Sequence, residues 1–231
     1  MKPKAVIFDF DDTLVYTNVF YDKLRQVLFD EMSRLGLSFS EQWPAYLEQA
    51  DLANIAQAGH LIPSAFPQAM RQTGEHFAAL SGVELPPGAA ERFEQIGWSF
   101  YQQPVPKMPG AEELLRALQG QVPLYLLTVG DPAYQKPRID RSGLQSYFDQ
   151  IRIVREKKAQ VFLDLLQELE LQPEQMWMVG NSIRSDVNPA LAAGVNVAFY
   201  NVEAWAYDRV EPIASFHTIH ELLELRELIG L

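Results

Sequence analysis

The sequence predicts an α/β fold, in which a parallel sheet has helices on both faces and an all-helical insertion follows its first strand. Three observations support this prediction. Short apolar runs rich in β-forming residues alternate with helical patterns along most of the chain. These runs are continuous, as is typical of strands buried on both faces. One long stretch near the N-terminus has helical spacing and no convincing strand.

Six apolar runs are the predicted strands of the sheet. The first ends abruptly in carboxylates, and the last is the weakest. In chain order they are Ala5–Phe10, Leu124–Thr128, Ile151–Val154, Met176–Val179, Val195–Tyr200 and Phe216–Ile219. Helical patterns between them cover Ala111–Leu118, Val161–Leu169 and Pro189–Ala193. Strands and helices in alternation predict βαβ units and therefore a parallel sheet.

The helical insertion is predicted to cover residues 16–105. Apolar residues follow helical spacing in four segments there, and prolines separate the segments. A proline-rich stretch at its end has the composition of a linker that returns the chain to the sheet. The predicted division is therefore a core domain of residues 1–15 and 106–231 and a helical domain between them.

The composition is that of a globular protein, and it disfavours several functional classes. The 231 residues are 48% hydrophobic and 21% charged, and the formal net charge is −11. Because such a surface repels nucleic acid and anionic membranes, we expect neither as a partner. The absence of cysteine excludes disulfides and cysteine nucleophiles. No apolar run reaches the length of a membrane span, and the N-terminus does not read as a signal peptide, so we expect a cytoplasmic protein.

Polar residues follow the first four predicted strands. Parallel α/β sheets hold their ligands at the carboxyl ends of their strands, so these residues are the candidate site. They are, strand by strand, Asp9 and Asp11, then Thr128 with Val129 and Gly130, then Lys157 and Lys158, then the loop from Gly180 to Asp186.

Asp9 and Asp11 are the most informative pair. Clustered carboxylates repel each other unless a cation lies between them or one is protonated. Mg²⁺ prefers oxygen ligands and also binds phosphate oxygens. One Asp could attack phosphorus while the other transfers protons. By itself the pair fits a helix cap or a solvated turn equally well, and we expect Asp12 to be such a turn residue.

The order of the four segments resembles the haloacid dehalogenase superfamily, on its phosphatase side. The resemblance extends from the first predicted strand to the fifth. It implies a Rossmann-like core, and the helical insertion lies where that family has its C1-type cap domain. The matching residues are Asp9, Asp11 and Thr13 of the Asp-x-Asp-x-Thr motif, Thr128, Lys157 or Lys158, and the acidic loop from Gly180 to Asp186.

The resemblance implies a role for each residue of the first motif. Asp9 would be the nucleophile that forms an aspartyl-phosphate. Asp11 would be the general acid and then the general base. Thr13 would hold the geometry of the loop and lie at the phosphate site. Most of the rate would then come from positioning and electrostatic stabilisation.

The remaining family positions imply a phosphate site and a metal site. Thr128, Val129 and Gly130 would bind the transferring phosphoryl group together with a lysine. We favour Lys157 for that lysine, although spacing leaves Lys158 open.

Mg²⁺ would be held by Asp9, the backbone carbonyl of Asp11, Asp186 and Asn181. Asn181 stands where the family usually has an Asp, so this loop supplies one carboxylate fewer than the usual pattern.

The function implied is a Mg²⁺-dependent phosphatase that acts on a small phosphorylated metabolite. Dehalogenases of the family lack the second Asp, because a halide leaving group needs no proton, so Asp11 argues against dehalogenation. A phosphomutase keeps the same motifs and remains an alternative. A non-catalytic binding module on the same fold would be expected to lose the nucleophile, the acid or the lysine. The oligomeric state is left open.

Overall fold

The computed structural model describes residues 2–202 and 210–231. The chain divides into two compact units. One unit consists of Met1–Thr17 and Val105–Leu231, and the other is Asn18–Pro104. Within the described parts of the chain, no helix combines the length and the apolar character that a membrane crossing requires.

The first unit is built on a six-stranded parallel sheet with the order β3-β2-β1-β4-β5-β6. This sheet confirms the predicted α/β class. The chain order reverses between β1 and β4, which is the point where such sheets hold their ligands. The strands are β1 Ala5–Phe8, β2 Leu124–Val129, β3 Gln150–Val154, β4 Met176–Gly180, β5 Asn196–Tyr200 and β6 His217–Ile219.

The second unit is helical throughout, and its four predicted helical segments are confirmed. They are α1 Asn18–Arg34, α2 Trp43–Ala58, α3 Ala65–Ser81 and α4 Ala89–Trp98. A short 3₁₀ turn, Ser99–Gln102, follows α4. The unit has its own apolar core, which includes Met70, Phe77 and Phe93. Gly74 lets α3 approach α4 closely, because a Cβ there would lie 2.2 Å from the Phe93 ring.

Within residues 2–202 and 210–231, five helices complete the first unit. They are α5 Ala111–Leu118, α6 Pro132–Ser142, α7 Ala159–Glu168, α8 Asn188–Ala192 and α9 Glu224–Ile229. Helix α6 was not predicted, since its buried face is mostly polar and gives no apolar period. That face consists of Gln135, Arg138, Ile139 and Ser142. Asp131 caps the helix by accepting a hydrogen bond from the Ala133 amide at 2.8 Å.

Apolar clusters cover the sheet on both faces. Alternate residues of β1 enter different clusters: Val6 and Phe8 belong to one, and Ala5 and Ile7 to the other. All four side chains are fully buried, which explains why β1 reads as a continuous apolar run. Each of the larger ones stabilises the fold by roughly 1.5–3 kcal/mol on burial. The strand that directly precedes Asp9 is thus fixed from both sides.

Helix α2 carries an acidic side chain in the interior. Asp51 is only 5% exposed. Burial raises the pKa of its carboxyl to about 7, and the Arg25 guanidinium opposes that rise. A raised folded-state pKa means that the folded protein holds a proton that the unfolded chain releases near its ordinary pKa of about 3.9. Ionisation of Asp51 therefore destabilises the fold, and the penalty grows as the pH rises towards about 7.

We expect Asp51→Asn to stabilise the protein, because the amide has no charge to bury. Its advantage in free energy of unfolding over the wild type should grow by roughly 1–2 kcal/mol between about pH 5.5 and about pH 8, then stay constant. Urea unfolding across this range measures it. Glu48→Gln, one turn earlier on α2, is the matched control. A stability difference that does not change with pH would contradict the assignment to Asp51.

Candidate active site

The chain leaves β1 through a tight turn that the side chain of Asp12 helps to close. Asp12 has a left-handed backbone with φ of 52°, a conformation that Asp tolerates better than most residues. Its Oδ1 accepts a hydrogen bond from the Thr17 amide at 2.9 Å, and its own amide donates to the Val15 carbonyl at 2.8 Å. Asp12 is therefore a turn residue, as expected.

The ends of β1 and β4 are joined where the chain order of the sheet reverses. The Asp9 amide donates to the Val179 carbonyl at 2.9 Å. Beyond β4, a single π-helical turn, Ile183–Val187, carries Asp186, which is fully buried. π-Helical turns occur frequently at functional sites. Gly180 is needed here, because a Cβ at this position would lie 2.2 Å from Asp186 Oδ2.

Lys157 lies between two carboxylates. Its Nζ is 2.5 Å from Asp9 Oδ1 and 2.5 Å from Asp186 Oδ1, and its side chain is buried. Lys158 does not join this group: its side chain is 68% exposed, and it pairs with Glu156 at 2.9 Å. The backbone at Lys158 is extended, with φ of −107° and ψ of 161°, so neighbouring side chains point to opposite sides. Of the two predicted lysines, the structure brings Lys157 to the carboxylates.

The cluster of Asp9, Asp186 and Lys157 contains two carboxylates and one ammonium group. Burial raises the pKa of the Asp9 carboxyl to about 8; Lys157 lowers it, and Asp186 and Asp11 raise it further. Burial lowers the pKa of Lys157, but the two carboxylates outweigh this effect and its pKa is raised overall. Lys157 is therefore a fixed cation. A further cation near Asp9 would favour the ionised carboxylate.

Asp11 has a separate set of partners, all of which are hydrogen-bond donors. Its Oδ1 accepts from the Thr17 hydroxyl at 2.6 Å and pairs with the Arg138 guanidinium at 2.7 Å. Its Oδ2 accepts from Gln135 Nε2 at 2.6 Å. The two aspartates of the motif thus lie in different environments, Asp9 beside a lysine and Asp11 beside an arginine.

The predicted phosphate-binding residues divide into two groups. Thr128 is buried at the end of β2, and its hydroxyl accepts from Gln135 Nε2 at 2.9 Å, so its own O–H can donate elsewhere. The amide of Gly130 donates to the Val154 carbonyl at 2.9 Å. This amide is therefore engaged with β3, and the assignment of Gly130 to the phosphoryl group stays a prediction. Val129 lies in β2 and is partly buried.

The predicted metal ligands come from the ends of β1 and β4. Asn181 Oδ1 accepts from the buried Thr13 hydroxyl at 3.0 Å, which ties the two loops together. A carbonyl oxygen has a second lone pair, so this bond does not prevent ligation. Across residues 2–202 and 210–231, no group of three or more His, Cys, Asp or Glu side chains could hold a metal. The predicted set contains only Asp9 and Asp186 of those types, with an amide and a backbone oxygen, and hard oxygens suit Mg²⁺.

The sequence analysis missed three residues that contact Asp11: Thr17, Gln135 and Arg138. Gln135 and Arg138 lie on one face of α6, three positions apart. The local signal is that this face of α6 is mostly polar. A helix directly after β2 with a polar inner face could have marked them as candidates.

Comparison with known proteins agrees with this geometry. A family model described as hydrolase, haloacid dehalogenase-like hydrolase, matches residues 3–194. The chain belongs to this family. The sequence-based resemblance is thereby confirmed.

Two relatives illustrate the range of the family. The glyceraldehyde 3-phosphate phosphatase of Pyrococcus furiosus is 24% identical over 98% of this chain and 92% of its own length. The pyrimidine 5′-nucleotidase YjjG of Escherichia coli is 32% identical over 53% of this chain. That second match spans only 56% of the nucleotidase.

Solved structures of the family share the fold. A haloacid dehalogenase-like family hydrolase from Xanthomonas campestris has a TM-score of 0.78 at 26% identity, covering 99% of this chain and 93% of its own. A 2-haloacid dehalogenase from Pseudomonas syringae has a TM-score of 0.61 at 21% identity, covering 99% and 98%. The fold therefore belongs to hydrolases of different chemistry and does not identify the reaction.

The neighbouring lysines provide a direct test of the cluster. We expect Lys157→Met to lower the free energy of unfolding by roughly 3–5 kcal/mol, because it leaves two buried carboxylates without their cation. Lys158→Met should change it by less than about 1 kcal/mol, as is usual for an exposed pair. Urea unfolding at neutral pH gives both values. Equal losses in the two variants would show that Lys157 is not the buried cation.

Proposed function

We propose that this protein is a Mg²⁺-dependent phosphatase that hydrolyses a small phosphorylated metabolite through an aspartyl-phosphate. The observation that carries the proposal is the separation of the two aspartates. Asp9 lies beside Lys157, whereas Asp11 is held by Thr17, Gln135 and Arg138. Phosphate-ester hydrolysis needs two carboxyl groups with different tasks, one that bonds to phosphorus and one that moves protons.

The donor set supports a divalent cation as the cofactor. Asp9, Asp186, Asn181 and the backbone carbonyl of Asp11 would hold it, with hard oxygens alone. The raised pKa of Asp9 agrees, since the buried carboxylates outnumber the charge of Lys157. When bound, the cation supplies positive charge to the phosphoryl oxygens and favours the ionised form of Asp9.

In the first half of the proposed reaction, an Asp9 oxygen attacks phosphorus and the bond to the leaving oxygen breaks. Asp11 gives a proton to that oxygen, so the product leaves as an alcohol. The Thr128 hydroxyl donates to a phosphoryl oxygen, and Lys157 offsets negative charge around Asp9. These fixed donors act by positioning and electrostatic stabilisation.

In the second half, water attacks phosphorus and the bond to Asp9 breaks. Asp11 accepts the proton of the water, and inorganic phosphate and the Asp9 carboxylate are released. Asp11 thereby regains the proton that the next substrate requires. The 28% exposure of its side chain is compatible with access for water.

Dehalogenation is the competing reaction, because structural neighbours include haloacid dehalogenases. A halide leaves without a proton, so that reaction gives no task to Asp11. Three donors hold Asp11 in place, an arrangement that is hard to explain if the residue is idle. The names of the relatives support the same choice, since one is a glyceraldehyde 3-phosphate phosphatase and another a pyrimidine 5′-nucleotidase.

A phosphate-release screen tests the proposal. Its panel contains triose phosphates, sugar phosphates, pyrimidine nucleoside monophosphates and p-nitrophenyl phosphate, with Mg²⁺ present. We expect the wild type to exceed Asp9→Asn by at least about 100-fold on one or more of these esters, because loss of the nucleophile removes the covalent step. Chelation of the metal should reduce that activity to the level of Asp9→Asn, and added Mg²⁺ should restore it.

Two outcomes would refute the proposal. One is phosphate release no higher than that of Asp9→Asn on every ester in the presence of Mg²⁺. The other is halide release from a 2-haloacid by the wild type without phosphatase activity. Lys158→Met serves as the matched control and should keep wild-type activity, since Lys158 faces away from the cluster.

A further inference from the structure

Helix α6 places a cation in the interior beside the motif aspartate. The Arg138 side chain is only 6% exposed. A buried guanidinium is costly unless its donors are satisfied, and apolar residues of similar volume often stabilise a fold equally well or better. The position of Arg138 is therefore not explained by stability alone.

The contacts of Arg138 include a hydrogen-bond network around Asp11. Its Nη1 is 2.7 Å from Asp11 Oδ1 and donates to Gln135 Oε1 at 2.9 Å, while Nη2 donates to the Thr17 hydroxyl at 3.1 Å. The guanidinium carbon lies 5.7 Å from the centre of the Phe10 ring, within the range of a cation–π contact. Phe10 is one residue before Asp11, so Arg138 contacts two consecutive residues of the same turn.

Gln135 links this network to the phosphoryl site. One amide nitrogen donates both to Asp11 Oδ2 at 2.6 Å and to the Thr128 hydroxyl at 2.9 Å. Arg138 in turn fixes the Gln135 amide, because it occupies its carbonyl oxygen. The orientation of Asp11 is thereby coupled to that of Thr128, the residue proposed to bind the phosphoryl group.

Every contact on Asp11 in this network comes from a donor. A carboxylate has about four acceptor sites, so these three contacts leave room for a proton. The network thus fixes the orientation of the carboxyl group without occupying all of its acceptor sites.

We propose that Gln135 and Arg138 are positioning residues that hold the Asp11 carboxylate ready to accept a proton from the water that hydrolyses the aspartyl-phosphate. This inference rests on the proposed function. For an ester with a poor leaving group, the same two residues would also place Asp11 for the proton that it gives in the first half. In the hydrolysis of the aspartyl-phosphate, the water oxygen bonds to phosphorus, the proton passes to Asp11 and the phosphorus bond to Asp9 breaks. Neither residue touches the reacting atoms, and both act through Asp11.

The test is the kinetics of Gln135→Met and Arg138→Lys with p-nitrophenyl phosphate, whose good leaving group needs no acid. If only the second half is impaired, kcat and KM should fall together by roughly 10- to 100-fold. This loss is smaller than the full contribution of a positioned general base, because Asp11 itself is retained. The value of kcat/KM should stay within about 2-fold of wild type, since it reports the first half alone. Acid quenching should trap more aspartyl-phosphate in the variants than in the wild type.

An alkyl phosphate serves as the second substrate. Its leaving group needs the proton of Asp11, so kcat/KM should fall for this ester in both variants. Arg138→Lys keeps the charge but not the planar fork, and should retain more activity than Arg138→Gln. Lys136→Met, an exposed change on the same helix, should leave all constants unchanged.

The outcomes separate this inference from the proposed function. A fall in kcat/KM equal to the fall in kcat with p-nitrophenyl phosphate, without more trapped aspartyl-phosphate, would overturn the positioning role and indicate general damage to the fold. Unchanged constants in both variants would also overturn it. The proposed function would fail in a different way, by a wild type with no activity above Asp9→Asn.

Discussion

Lys157 between Asp9 and Asp186 is the interaction on which the site depends. Two buried carboxylates on either side of one ammonium group would repel each other if that group were absent. The desolvation of each carboxylate would then cost several kcal/mol. One ammonium at 2.5 Å from both allows them to share the interior. Because the three residues follow β1, β3 and β4, this contact also joins three strand ends. Charge and topology therefore constrain each other at this edge of the sheet.

The rest of the site is arranged around that charge balance. Gly180 gives Asp186 the room to approach the backbone, and the Thr13–Asn181 bond closes the β1 loop against the β4 loop. Asp11 pairs with a different cation, the Arg138 guanidinium, and not with Lys157. This separation would let two chemically identical side chains take the different tasks proposed for them. Environments that differ between paired carboxylates are the usual basis for assigning one as nucleophile and the other as acid or base.

The fold alone is a poor guide to the reaction. A phosphatase is 24% identical to this chain over 98% of the chain's residues, and a 2-haloacid dehalogenase shares the chain's fold with a TM-score of 0.61. Asp11 and its partners are therefore the features that bear on the reaction, in line with the general rule that sites and not folds carry chemistry.

The sequence by itself determined the α/β class, the helical insertion and the motif residues, because continuous apolar runs and the residues just after them are local features of the chain. It did not reveal helix α6, whose inner face is polar. Only the tertiary structure selected Lys157 over Lys158, since the choice depends on the extended backbone before α7. It also brought Gln135 to Asp11 across 124 positions of sequence, a contact that no local pattern encodes. Side-chain direction and long-range packing decided what spacing had left open.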